Sequence, residues 1–168
     1  MTRAVFAFSA DPVTNGHIDI VNRASRLFDE IVIATVRTTG KAGEMFTGDQ
    51  RLEMCRCAFK GNPVVVDYKF IDGTTVDLCK SVRARFLIRG IRGYTDLDYE
   101  LNLSHINREI SNGTIDTIFI PSKLELSMFS SSAVRGLIKV SVDNWKKMVP
   151  ESVAVYIEEL RKHEKVFQ

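Results

Sequence analysis

The chain has 168 residues, 45% of them apolar and 26% charged, a balance that suits one domain with a real buried core and excludes a disordered or fibrous chain. Its formal net charge is +2 with no long Lys or Arg block, which excludes non-specific binding to nucleic acid or an anionic membrane surface, so any anion site must be local. Cys55, Cys57 and Cys79 are an odd number without metal-ligand spacing, the apolar run Ala4 to Ala10 is too short for a signal-peptide core, and no run reaches transmembrane length; reduced, buried thiols in a cytoplasmic protein are the expectation.

The apolar run Ala4 to Phe8 reads as a buried first strand, and Ser9-Ala10-Asp11-Pro12-Val13-Thr14-Asn15-Gly16-His17 leads from it straight into a helical pattern. Such a turn collects backbone N–H groups and the positive end of a helix dipole at one point, a place for an anion, most plausibly a phosphate. His17, in the first helical turn, can reach that anion as a hydrogen-bond donor. Ile18, Val21, Ala24 and Phe28 give this helix its apolar face and carry it to near Asp29. Ile31 to Val36 is then a β-branched run fit for a strand buried on both faces.

The loop from Arg37 to Glu44 presents Lys41 between Gly40 and Gly43, and Thr47 with Gln50 forms a capping box for a helix that buries Leu52, Cys55 and Phe59. Val64 to Tyr68 is the third strand, and a third helix with Val76, Cys79 and Val82 on one face begins after Asp72-Gly73-Thr74. A short fourth strand, Phe86-Leu87-Ile88, runs into Arg89-Gly90-Ile91-Arg92-Gly93, which reads as a loop carrying two guanidinium groups. A long helix from about Asp96 to Ile110 is closed by Asn112-Gly113, and Thr117 to Ile120 forms the fifth strand. After the loop Ser122 to Phe129, the serines from Ser130 to Ser132 suit the N-cap of the next helix. A short helix holds Trp145, and Pro150 starts a final amphipathic helix on which Glu158 is expected to pair with Lys162.

Five apolar strands alternating with helices predict an α/β fold: a Rossmann-like, doubly wound five-stranded parallel sheet in a single domain spanning residues 1–168, with C-terminal helices. Ligands of such sheets bind outside the carboxyl ends of the strands, where the strand order switches direction. Ser9, His17, Lys41, Arg89, Arg92 and the serines at 130–132 all fall just after strands or at helix starts, so one crevice could collect them. No G-x-x-x-x-G-K-[ST] or G-x-G-x-x-G run is present, and no metal cluster or Ser-His-Asp arrangement stands out. Taken singly, Lys41, Arg92 and Glu100 are more often solvated charges, and a triple serine can be a helix cap alone.

Taken together, Asp11 to Ile20, Met45-Phe46-Thr47 with Arg51, Leu87 to Arg92, Asp98-Tyr99-Glu100, His105 to Arg108, Pro121-Ser122-Lys123 and the serine run with Arg135 resemble, in order, the motifs of the bacterial phosphopantetheine adenylyltransferases of the T/HxGH nucleotidyltransferase superfamily. The resemblance implies transfer of the adenylyl group of ATP to 4′-phosphopantetheine, giving 3′-dephospho-coenzyme A and pyrophosphate with Mg²⁺ as cofactor, in a cytoplasmic homohexamer built as a dimer of trimers. It also implies that no nucleic acid or membrane is a partner, and that coenzyme A itself binds.

By the same resemblance, His17 stabilises the transition state and Ser9 orients the two phosphates. Lys41 and Arg89 hold the acceptor phosphate, and Thr75 lies along the pantetheine arm. The nucleotide would be held by Ser9, Ala10, His17, Gly90, Ile91, Arg92 and Glu100, together with Leu126, Ser127, Met128, Phe129, Ser130, Ser131 and Ser132. The metal ligands stay unassigned. Two alternatives remain at this point: a sister adenylyl- or cytidylyltransferase with another phosphate acceptor, and a nucleotide- or coenzyme-A-binding protein without turnover. Three positions depart from the family pattern: Phe8 stands where it has glycine, Ala10 where it has phenylalanine, and Leu126 where an aromatic is common.

Overall fold

The computed structural model describes residues 1–36, 44–71 and 73–163, apart from the side chains of Thr95 and His163. Strands β1 (Arg3–Phe8), β2 (Glu30–Val36), β3 (Val65–Ile71), β4 (Phe86–Ile91) and β5 (Asp116–Pro121) alternate with helices α1 (Asn15–Ala24), α2 (Gly48–Phe59), α3 (Thr75–Ser81) and α4 (Tyr94–Ile110). Helices α5 (Ser131–Lys139) and α6 (Glu151–His163) follow, separated by a 3-10 turn at Asp143–Met148. All strand pairs are parallel and the order is β3-β2-β1-β4-β5, so the chain reverses its direction of travel across the sheet between β1 and β4.

Strand alternation sends Ala4, Phe6, Phe8, Ile31, Ile33 and Ile88 to one face, where they pack on Ile20 and Val21 of α1, Met54 of α2, Val134 of α5 and Ile157 of α6. Val5, Ala7, Val32, Ala34 and Leu87 point to the other face and meet Val76 and Cys79 of α3. Burial on both faces is why the central strands read as continuous apolar runs. Trp145, expected on a short helix, is fully buried against the first face.

Several boundaries differ from those the sequence suggests. Helix α1 stops at Ala24, where the bonds tighten from four residues back to three: the Arg26 and Leu27 N–H groups donate to the Arg23 and Ala24 carbonyls, and Phe28 is buried from the turn beyond. Strand β3 runs on to Ile71, paired with β2 through Val36. Strand β4 absorbs Arg89, Gly90 and Ile91, which hydrogen bond in register with Phe119, Ile120 and Pro121 of β5, so Arg89 is a strand residue and not a loop residue. Leu52 is half-buried while Arg51 is buried in α2. Glu158 pairs with Lys146 of the 3-10 turn and not with Lys162, since tertiary packing brings a cation closer than the helical neighbour. The Thr47–Gln50 capping box of α2 forms as expected.

Candidate active site

The reversal between β1 and β4 opens a cleft of about 750 Å³ at the carboxyl edge of the sheet. Its floor is the end of β1 with Ser9 and its sides are α1, the end of β4 and α4; the segment from Leu126 to Ser132 closes it. Ser9, His17, Thr75, Arg89, Gly90, Arg92 and Glu100 all line it, as do Leu126, Phe129 and Ser130 to Ser132. Ala10, Ile91, Ser127 and Met128 do not: Ala10 is fully buried at φ +52° behind the loop and Met128 faces outward. Lys41 lies outside the described residues.

Two helices aim their N-termini at this space. Ser130 caps α5 by accepting the Ala133 N–H at 3.1 Å, and Thr14 caps α1 with extended backbone angles. His17 occupies the third position of α1, where a capping box usually has Glu or Gln, and its Nδ1 accepts the Thr14 N–H at 2.9 Å. The Thr14 hydroxyl lies 3.0 Å from the same nitrogen. A backbone N–H can only donate, so Nδ1 is unprotonated and the ring proton sits on Nε2. Burial, reinforced by the Arg92 guanidinium, pushes the imidazole down to about 3, which keeps it neutral at physiological pH. T-x-G-H is thus a helix cap whose return arm is histidine, and burial makes that histidine a neutral donor.

Known proteins resemble this chain over most of its length. The cytidylyltransferase-like family pattern matches residues 6–137. Phosphopantetheine adenylyltransferase from Flavobacterium psychrophilum is 39% identical, with 92% of this chain and 99% of the relative covered. The enzyme of that name from Lachnoclostridium phytofermentans is 37% identical over 91% of each chain, and that from Thermobifida fusca is 39% identical over 95% and 92%. The chain belongs to the phosphopantetheine adenylyltransferase family. A solved Vibrio parahaemolyticus protein, provisionally described as a nicotinate-nucleotide adenylyltransferase, superposes with a TM-score of 0.70 at 17% identity over 99% of this chain and 98% of that one, which shows the shared fold.

In this family member the other half of the cleft is built from charge pairs. Arg89 lays its Nε and Nη2 on the Glu100 carboxylate at 2.6 and 2.7 Å, a bidentate fork, and gives Nη1 to the Ala7 carbonyl at 2.5 Å. Of its five N–H groups two stay uncommitted to these partners, one on each terminal nitrogen. Arg92 makes a similar fork on Asp96 at 2.7 and 3.0 Å. Nothing in the spacing of Arg89 and Glu100 announces their pairing, since one is on a strand and the other on a helix.

Several motif residues also hold the loops of the cleft, through pairings that their spacing does not announce. The buried Asp11 carboxylate accepts the Met45 and Phe46 N–H groups and pairs with Arg135 at 3.2 Å, while Arg135 also donates to the Asp11 carbonyl at 2.6 Å. Ser131 donates to the Pro12 carbonyl at 2.8 Å. Buried Arg51 donates to the Ser9 and Val36 carbonyls at 3.1 and 3.0 Å, tying the ends of β1 and β2 together. Cys55 and Cys79 are free thiols pushed up to about 12 by burial and take no part in the cleft.

Proposed function

We propose that this chain transfers the adenylyl group of ATP to 4′-phosphopantetheine, forming 3′-dephospho-coenzyme A and pyrophosphate. The observation that carries the reading is relatedness to phosphopantetheine adenylyltransferases over nine-tenths of the chain. A phosphate oxygen of the acceptor attacks the α-phosphorus in line; the new P–O bond forms as the bond to the β-phosphate oxygen breaks, and pyrophosphate leaves with that electron pair. Such chemistry needs positioning and charge compensation and no protein nucleophile. The cleft offers the matching parts: a neutral Nε2–H on His17, two helix N-termini, and the uncommitted N–H groups of Arg89.

In this reading His17 donates to the charge that develops on the α-phosphate, Ser9 orients the two phosphates, and Arg89 with Lys41 holds the acceptor phosphate. The nucleotide lies along Gly90 to Arg92, Glu100 and the Leu126 to Ser132 segment, and the pantetheine arm runs past Thr75, whose hydroxyl is 3.5 Å from Asn107 Oδ1. Mg²⁺ would accompany the nucleotide, held chiefly by its phosphate oxygens and water. When bound it offsets charge on the triphosphate. No helix among the described residues is long and apolar enough to cross a membrane, in keeping with a cytoplasmic reaction. The exposed Tyr99, Leu101, Ile106 and Ile110 of α4 support an assembly of several copies, for which the family resemblance implies a homohexamer.

The test supplies ATP, Mg²⁺ and 4′-phosphopantetheine and measures dephospho-coenzyme A by mass and pyrophosphate by coupled assay. Product with this acceptor, and none with nicotinate mononucleotide, is the expected result. Turnover only with another phosphate acceptor would make the chain a sister transferase, and tight nucleotide binding without product would make it a binding protein.

A further inference from the structure

Phe8 is the last residue of β1, where strand alternation points it to the α1 side of the sheet, directly beneath the first turn of that helix. Its ring stacks on the His17 imidazole with centroids 4.4 Å apart and planes 24° apart, and on Phe6 at 4.6 Å and 27°. Phe6 also meets His17 directly, with centroids 6.3 Å apart and planes tilted by 51°, so the three rings form a compact triangle between the core and the cleft. The hydrogen bonds of His17 all converge on Nδ1, from the Thr14 N–H and hydroxyl. A ring held at one atom can still tip about that atom; a flat partner against its face removes that freedom.

We propose that Phe8 is a positioning residue for His17, its ring fixing the imidazole plane and shielding one face from water so that a neutral Nε2–H is presented to the reacting phosphate. The inference rests on the role given to His17 above and adds a residue to it. The face of Phe8 would also attract a protonated imidazole, which opposes the shielding, but burial dominates and the group stays neutral. Among the described residues, the charged groups sharing the cleft with His17 are the pairs Arg89–Glu100, Arg92–Asp96 and Arg135–Asp11, together with Glu44. Phe8 touches none of these pairs through a charge of its own, so its removal acts on the imidazole through water and orientation.

The experiment follows His17 by nitrogen NMR, reading tautomer and titration midpoint, beside steady-state kinetics for Phe8→Ala, Phe8→Leu and Phe8→Tyr. Phe8→Ala is expected to raise the His17 midpoint by a pH unit or more and to lower kcat about tenfold, with KM for ATP changed less than threefold. Phe8→Leu, which keeps bulk without a flat face, should keep the Nε2–H form but lose part of kcat, and Phe8→Tyr should restore both readouts. A folded Phe8→Ala with the wild-type midpoint and kcat would reduce Phe8 to a core filler and overturn the proposal. If Phe8→Ala does not fold, Phe8→Leu decides, and a wild-type kcat there overturns it equally. Should His17→Ala retain full turnover, the role of His17 itself falls, whereas unchanged Phe8 variants beside an inactive His17→Ala remove this inference alone.

Discussion

The two walls of the cleft hold their functional groups by opposite means. On the β1–α1 wall, His17 is uncharged and is fixed by a backbone N–H, a hydroxyl and an aromatic face. On the β4–α4 wall, Arg89 and Arg92 are charged and are fixed by carboxylate forks. Orientation on the first wall survives changes in salt because no net charge carries it, whereas the second wall trades part of its positive charge for geometry. A phosphate arriving in the cleft meets a preset neutral donor on one side and partly compensated guanidinium groups on the other.

The largest effect should come from the neutral wall. His17→Ala is expected to lower kcat by roughly two to three orders of magnitude, the range for losing one preorganised donor, with a smaller change in KM. Steady-state kinetics at saturating ATP reads this, and a rate within threefold of wild type would remove His17 from the chemistry.

Next in size is the brace behind both walls. Asp11→Ala leaves Arg135 without its carboxylate and the Met45 and Phe46 N–H groups without an acceptor, and should destabilise the fold by about 2 to 4 kcal/mol in urea unfolding. A loss below about 0.5 kcal/mol would show that water replaces the carboxylate there.

On the charged wall, Glu100→Gln should raise KM for the acceptor by about five- to tenfold, because a neutral amide cannot hold both arms of the Arg89 fork. Arg89→Ala should raise it further. A fall in KM for Glu100→Gln would mean that Glu100 mainly neutralises Arg89, and the contrast between the walls would then be one of charge and not of geometry.

The last effect is read in unfolding and not in turnover: a pH dependence of stability. The folded His17 value, about 3, lies below the ordinary value of 6.5, so as pH falls between these limits the unfolded chain takes up a proton that the folded chain refuses. Stability contributed by the neutral ring is present above 6.5 and is lost progressively toward 3. Thermal unfolding from pH 7 to pH 4 should therefore narrow the gap between wild type and His17→Gln, and parallel curves would place the imidazole in water.

Much of this was legible before any coordinates. Ile31 to Val36 is β-branched throughout, and Thr47 with Gln50 is a local signal that needs no tertiary partner, so the strand and the capped helix lie where they are expected. The turn before α1 was legible as an anion site but not as a cap, because nothing in its spacing says that His17 bonds back to Thr14. Arg89 was legible as a site candidate but not as a strand residue, because Arg89-Gly90-Ile91 lacks an apolar pattern and is held in the sheet by pairing with β5. In the sequence α1 reads longer than it is, because Phe28 keeps helical spacing even though it is reached through a turn. Lys41 remains a sequence-level candidate, lying outside the described residues.

By itself the sequence determined the alternation of strands and helices, the caps that open α2 and α5, and the ordered motifs of the family, because each depends on neighbours within a few positions. Only the tertiary structure decided that β1 and β4 lie side by side with a cleft at their ends, that Glu100 takes the fork of Arg89, and that Phe8 lies flat on His17. Those contacts join residues whose separation along the chain says nothing about their distance, and the twist and order of the sheet, set by burial on both faces, bring them together.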